Sequence, residues 1–202
     1  MNIIDFKNEE SLPYEVYWKS PKAPNYGLTH LIQLMGSNII YVETGVGKGV
    51  GLSAILQRCE NIKIAYGVDF YRENTDYFDR TPHTYSDNEM SFWYQRARHR
   101  ILSSGMKDKV KIIKEHTSLA VNYFEDNSID ILFLDNYLSE EDVYNECKRW
   151  YNKVKINGYF AGHDWPYGGV QNSVHKFRNE NNITSPLSAW GGEWVWKKKE
   201  NI

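Results

Sequence analysis

The chain is poor in cross-links, in membrane-length apolar runs and in excess charge. Its 202 residues hold two cysteines, Cys59 and Cys147, far apart on predicted helices, which excludes a disulfide framework. No apolar run reaches the roughly 20 residues that span a bilayer. The opening residues, with Asp5, Lys7, Glu9 and Glu10, are too charged for a secretory signal. The cytoplasm is the expected location. A formal net charge of −2 lacks the basic excess that nucleic acid or an anionic membrane asks for, so neither is expected as a partner. No repeat, low-complexity tract or linker interrupts the sequence, and its length fits one domain, 1–202, around one sizeable core. Aromatic residues, by contrast, are plentiful: 15% of the chain, with seven Trp. That exceeds what a core this size needs, and some of the rings are expected to line a pocket.

One stretch organises the rest. Ile39-Ile40-Tyr41-Val42 is an apolar β-branched run that ends in Glu43 and breaks into Gly45, Gly47, Gly49 and Gly51. Leu52, Ile55, Leu56 and Cys59 then recur at helical spacing. The pattern is strand, glycine turn, helix. Alternating glycines let backbone approach a ligand closely, and the helix's opening amides lie beside it. A P-loop is excluded, since Gly49 follows Lys48 where Ser or Thr is needed. The dinucleotide pattern also fails, since Val50 or Leu52 stands at its third glycine.

Around this core motif, strands alternate with helices. Residues 1–27 carry Pro13, Pro21 and Pro24 and read as an irregular arm ahead of a short helix over 27–36. A second strand is predicted over 62–69, a helix over 90–103, a strand over 110–113, a short helix over 119–124 and a buried strand over 129–134. The polar, aromatic segment 70–93 sits where a substrate lid would lie, with His83, Tyr85, Phe92 and Trp93 in reach of an acceptor. Ser139 with Asp142 is a capping signature for a helix bearing Val143, Cys147, Trp150 and Val154, closed by Asn157-Gly158. A strand over 159–161, a helix around Val170, Val174 and Phe177, and a hairpin of 183–190 with 193–197 complete the reading. The fold class is α/β: a single-domain, Rossmann-like three-layer sandwich, its sheet mostly parallel with a C-terminal antiparallel hairpin.

Ligands of such sheets sit beyond the strands' carboxyl ends, where Glu43, Asp69, Asp135 and Asp164 each follow an apolar run. Neighbouring carboxylates repel unless a ligand or cation joins them, so the recurrence points to a site. A carboxylate at Asp69 can accept two hydrogen bonds from a ribose diol. The hydroxyls of Thr117 and Ser118, after His116, are placed to cap the next helix.

Glu43-x-Gly45-x-Gly47-x-Gly49 resembles the first motif of class I S-adenosylmethionine-dependent methyltransferases, and Asp69 resembles the acid of their second. The stretches 110–137 and 158–165 resemble catechol O-methyltransferase and the type 24 methyltransferase domain family. The resemblance implies a cofactor site of Glu43, Gly45, Val46, Gly47, Asp69, Phe70, Thr117, Ser118, Asp135 and Tyr137, with Tyr137 against the adenine. It implies a divalent metal, Mg²⁺ in the metal-dependent members, on Asp135, Asp164 and His163. An imidazole there suits Mn²⁺ or iron better than Mg²⁺, or else no metal is used and His163 and Asp164 are catalytic as acid–base groups. Tyr137-Leu138 stands where relatives carry a catalytic lysine or an Asp-His pair, so the acceptor side is the chain's own. The expected activity is methylation of a small-molecule or glycan hydroxyl, with room for a homo-oligomer. Two further classes stay open: a nicotinamide-dependent oxidoreductase, and a protein that binds S-adenosylmethionine without catalysis.

Overall fold

The computed structural model describes residues 2–17, 26–72, 85–136 and 139–202. In chain order the elements are β1 (Ile3–Asp5), α1 (Tyr26–Leu34), β2 (Ile39–Thr44), α2 (Val50–Arg58), β3 (Ile62–Val68), α3 (Asp87–Ser103) and β4 (Val110–Ile113). They continue as α4 (Thr117–Ala120), β5 (Ile129–Leu134), α5 (Glu140–Trp150), β6 (Val154–Gly162), α6 (Gly168–Glu180), β7 (Leu187–Trp190) and β8 (Glu193–Lys197). Among the described residues no helix is long and apolar enough to cross a membrane.

The strands form one eight-stranded sheet in the order β1-β4-β3-β2-β5-β6-β8-β7. Strands β2 to β6 run parallel; β7 and β8 form the antiparallel hairpin anticipated from the sequence, and β8 inserts between β6 and β7. The parallel strands read as largely apolar runs because both faces are covered over most of their length. Along β5, Ile131 and Phe133 join the core on the side of α1, α2 and α3, while Ile129, Leu132 and Leu134 join the core on the side of α5 and α6. The chain winds outward from β2 through β3 and β4, then returns to wind the other way through β5 and β6. A crevice opens at that reversal, beyond the carboxyl ends of β2 and β5.

Several local expectations are corrected. Ile3–Asp5 is no irregular arm but an edge strand paired antiparallel to β4. Helix α5 ends at Trp150, so Val154 belongs to β6 and not to the helix's core face. Asn157, at φ 67°, and Gly158 lie inside β6 where its register against β5 shifts. They form an irregularity in a strand, not a helix stop. Strand β7 starts at Leu187, later than the apolar run suggested. Among the aromatic residues, Trp150, Trp194 and Trp196 are fully buried, Trp194 stacks on Trp196 at 5.2 Å, and Trp194 also lines a pocket with His163 and Asp164, as the aromatic content suggested. Of the proposed lid, 73–84 lies outside the described residues, and 87–93 is the start of α3, closed by a capping box between Ser86 and Glu89. The Ser139–Asp142 capping box of α5 is present as predicted.

Candidate active site

Strand register lines up the site. Thr44 pairs with Val68 on one side and Leu134 on the other, and Leu134 pairs with Gly162. The residues that follow, Gly45, Asp69, Asp135 and His163, therefore leave the sheet in one row.

Gly45, at φ 81°, lies so close to β5 that a Cβ there would sit 2.3 Å from the Asp135 carbonyl oxygen. Only glycine fits. The Gly47 amide donates to Asp69 Oδ2 at 2.8 Å, and the Tyr71 hydroxyl donates to the Gly47 carbonyl at 2.8 Å. Tyr71 is buried and held at φ 49° to make that reach. Helix α3 braces the outer side, with Trp93 under Lys48 and the Arg100 guanidinium donating to the Lys48 carbonyl. Val46 turns its side chain into the core against Gly67.

The carboxylates differ by environment. Glu43 is buried and accepts from the Tyr41 hydroxyl at 2.7 Å. Burial pushes its carboxyl up to about 8, against the Tyr41 hydrogen bond and with Asp135 and Asp69 adding to the rise. Burial likewise pushes Asp69 up to about 6, opposed by amide hydrogen bonds from Gly47, Tyr71 and Phe70. Phe70 sets its ring edge-on to His116 at 6.0 Å.

Past β4, the helix cap is the His116 imidazole, whose Nδ1 accepts from the Ser118 amide, rather than a Thr or Ser hydroxyl. The Ser118 hydroxyl sits 2.7 Å from the same nitrogen. The buried Thr117 hydroxyl donates to Glu146 Oε1 at 2.7 Å. Tyr137 lies outside the described residues.

Asp135, His163 and Asp164 come together. His163 Nδ1 is 3.0 Å from Asp164 Oδ1 and 3.5 Å from Asp135 Oδ1, and one ligand atom from each lies within 4.8 Å of the others. Asp164 adopts φ 59°, which turns the chain sharply out of β6. Burial, opposed by His163 and reinforced by Asp164 and Glu193, pushes Asp135 up to about 7. The Asp164 hydrogen bond, outweighing burial and aided by Asp135, raises the His163 imidazole. One nitrogen and two oxygens at such spacing can hold a divalent cation or share a proton.

Tyr71, Glu146 and Glu193 were not singled out from the sequence. Glu193 opens β8, is buried, and accepts from the Trp190 indole at 2.7 Å and the Leu28 amide at 3.0 Å. It thereby ties α1 to the hairpin beside His163. The only signal was an acid directly after Gly191-Gly192.

A family model described as a methyltransferase domain, type 24, matches residues 42–165. No curated protein matches the chain. Among solved structures, the O-methyltransferase NovP is similar at 15% identity and TM-score 0.56, over 86% of this chain and 80% of its own. A candidate caffeoyl-CoA O-methyltransferase from Staphylococcus aureus is similar at 12% identity and TM-score 0.62, over 86% and 81%. A SAM-dependent O-methyltransferase from Thermotoga maritima gives 14% and 0.59, over 87% and 64%. At these identities the likeness is one of fold.

Proposed function

The chain belongs to the type 24 methyltransferase domain family, and from that membership we propose that it methylates a hydroxyl oxygen of a small molecule or glycan, using S-adenosylmethionine. The observation that carries the reading is the convergence of Asp135, His163 and Asp164 beside the glycine turn. NovP and the Thermotoga maritima protein, both O-methyltransferases, support oxygen as the acceptor atom.

The cofactor, when bound, supplies an electrophilic methyl on a sulfonium. The residues fit it. A Cβ on Gly47 would meet nothing closer than the Trp93 ring at 3.8 Å, so the backbone there offers an open cradle. Asp69, half-buried at the adjacent strand end, has the charge to accept from a ribose diol. Glu43 and Asp135, whose carboxyls burial pushes up to about 8 and about 7, would give up their protons to a cationic ligand lying beside them and so hold it by charge.

The acceptor hydroxyl must be aligned and must lose its proton. A divalent cation would be held by Asp135, His163 and Asp164 and would lower the hydroxyl pKa. The imidazole in that set suits Mn²⁺ better than Mg²⁺. A second, metal-free reading rests on the His163–Asp164 hydrogen bond. There His163 holds its Nδ1 proton against Asp164, and Asp135, pushed up to about 7, takes the hydroxyl proton.

The test is transfer of a labelled methyl group to a panel of hydroxylated small molecules and glycans, with and without chelator. Label should pass to oxygen and S-adenosylhomocysteine should form. Under the metal reading chelator abolishes transfer, Mn²⁺ restores it, and Asp164→Asn keeps part of the activity, since an amide remains a ligand. Donor bound but never consumed would leave a non-catalytic binder. Binding of a nicotinamide dinucleotide instead of S-adenosylhomocysteine would leave the oxidoreductase.

A further inference from the structure

The chain reverses sharply just after Asp69. Tyr71 sits at φ 49°, a conformation that costs a bulky residue free energy and that glycine or asparagine takes more readily. Asp69 Oδ1 accepts from the Tyr71 amide at 3.2 Å, which holds the reversal. The Tyr71 ring is 4% exposed and packs edge-on against Tyr94 of α3 at 5.3 Å. Packing alone does not call for a tyrosine there, since phenylalanine would fill the same space. What only the tyrosine adds is a hydroxyl, and that hydroxyl donates to the Gly47 carbonyl at 2.8 Å.

Gly47 is the residue of the glycine turn that most needs such a partner. Gly45 is wedged against the Asp135 carbonyl and Gly49 against Ala97 of α3, where a Cβ would come within 2.3 Å and 3.0 Å. At Gly47 a Cβ would meet nothing nearer than 3.8 Å. A glycine with that much space, at φ 54°, has several backbone conformations in reach. Two hydrogen bonds select one of them. Its amide donates to Asp69 Oδ2 at 2.8 Å, and its carbonyl accepts from Tyr71. Asp69, Tyr71 and Gly47 thus close a ring of hydrogen bonds that joins the strand-end acid to the turn.

We propose that Tyr71 is a positioning residue for the methyl donor: its hydroxyl fixes the Gly47 peptide, so that the turn is shaped for the amino-acid end of S-adenosylmethionine before that end arrives. Binding then does not have to order the turn, and the affinity that ordering would cost is kept. The inference rests on the cofactor reading above, with the ribose at Asp69 and the amino-acid end over the turn. Its consequence is selective. Loss of the hydroxyl weakens a ligand that lies over the turn and spares one that reaches only Asp69.

The test is calorimetry on the full chain with two ligands. S-adenosylhomocysteine carries the amino-acid end, and 5′-methylthioadenosine keeps the nucleoside and sulfur but lacks it. Tyr71→Phe retains the ring, the amide to Asp69 and the packing on Tyr94, and removes the hydroxyl alone. Its affinity for S-adenosylhomocysteine should fall about tenfold, while that for 5′-methylthioadenosine stays within about twofold of the unsubstituted chain. Tyr94→Phe, which removes the hydroxyl of the ring packed behind Tyr71, should change neither. A merely structural role for Tyr71 would lower both affinities together or leave both unchanged, and either result overturns the assignment. If Tyr71→Phe does not fold, hydrogen exchange on the unsubstituted chain decides. The Gly47 amide should be protected about a hundredfold before ligand is added. Free exchange there until S-adenosylhomocysteine is added would overturn the fixed turn. An unsubstituted chain that binds neither ligand removes the cofactor reading and the role of Tyr71 with it. S-adenosylhomocysteine binding that Tyr71→Phe leaves intact removes the role of Tyr71 alone.

Discussion

At the scale of single residues, burial decides what each strand-end acid does. Asp69 must be ionised to accept two hydroxyl hydrogen bonds, yet burial holds its carboxyl at about 6. Affinity for S-adenosylhomocysteine should therefore be flat above that pH and fall about tenfold per unit below it. Calorimetry across pH checks this, and Asp69→Ala should weaken binding by about 2–4 kcal/mol at neutral pH. Glu43 and Asp135 bear on stability. Their folded-state carboxyls, at about 8 and about 7, keep protons that the unfolded chain releases near 4. The folded state thus binds more protons, and the stability from these two groups is full at acid pH and lost as pH rises through 7 and 8. Ligand-free protein should melt lower at pH 8 than at pH 6, and Glu43→Gln should shrink the difference; an unchanged difference would mean Glu43 titrates normally. The strand-end acids were legible in the sequence because each terminates an apolar run. Glu146 and Glu193 were not, because a lone acid on a helix or after a turn looks solvated until its distant partners, Thr117 and Leu28, are known.

At the scale of elements, the parallel strands were readable because burial on both faces leaves β2 and β5 mostly apolar, with Glu43, Thr44 and Asp130 only near their ends. The α5 cap was readable because a capping box is local in sequence. Asn157-Gly158 misled because a positive φ serves a helix end and a strand irregularity equally well. Three-residue β1 has too few positions for any period to show. Where α5 and its following turn meet β6, the fold depends on Lys198, fully buried, whose ammonium donates to the carbonyls of Tyr151 at 3.0 Å and Val154 at 2.6 Å. Lys198→Met should leave both carbonyls unpaired and cost about 2–3 kcal/mol, read by urea unfolding. Loss of less than about 0.5 kcal/mol would mean water replaces the ammonium there.

At the scale of the whole molecule, the crevice has two halves of different origin. The glycine turn, Asp69 and Asp135 come from βα units that follow one another along the chain. The wall beside His163 comes from α1 and the β7–β8 hairpin, joined by the Leu28–Glu193 hydrogen bond across 165 residues of sequence. Ligand should stabilise both halves together, so saturating S-adenosylhomocysteine should raise the melting temperature in one cooperative transition. Two transitions would show the halves to be independent. The long-range tie also orders events in time. Pairings close in sequence form before those that must first close a long loop. In a refolding chain, pulse-labelled hydrogen exchange should therefore protect the amides of Trp194 and Val195, whose partners in β6 and β7 are near in sequence, before that of Leu28, whose partner is Glu193, and simultaneous protection would overturn this order. A newly made chain then passes through a stage at which the β7–β8 hairpin is in place while α1 is not yet tied to it, and in that interval the side of the crevice beside His163 stands open to solvent.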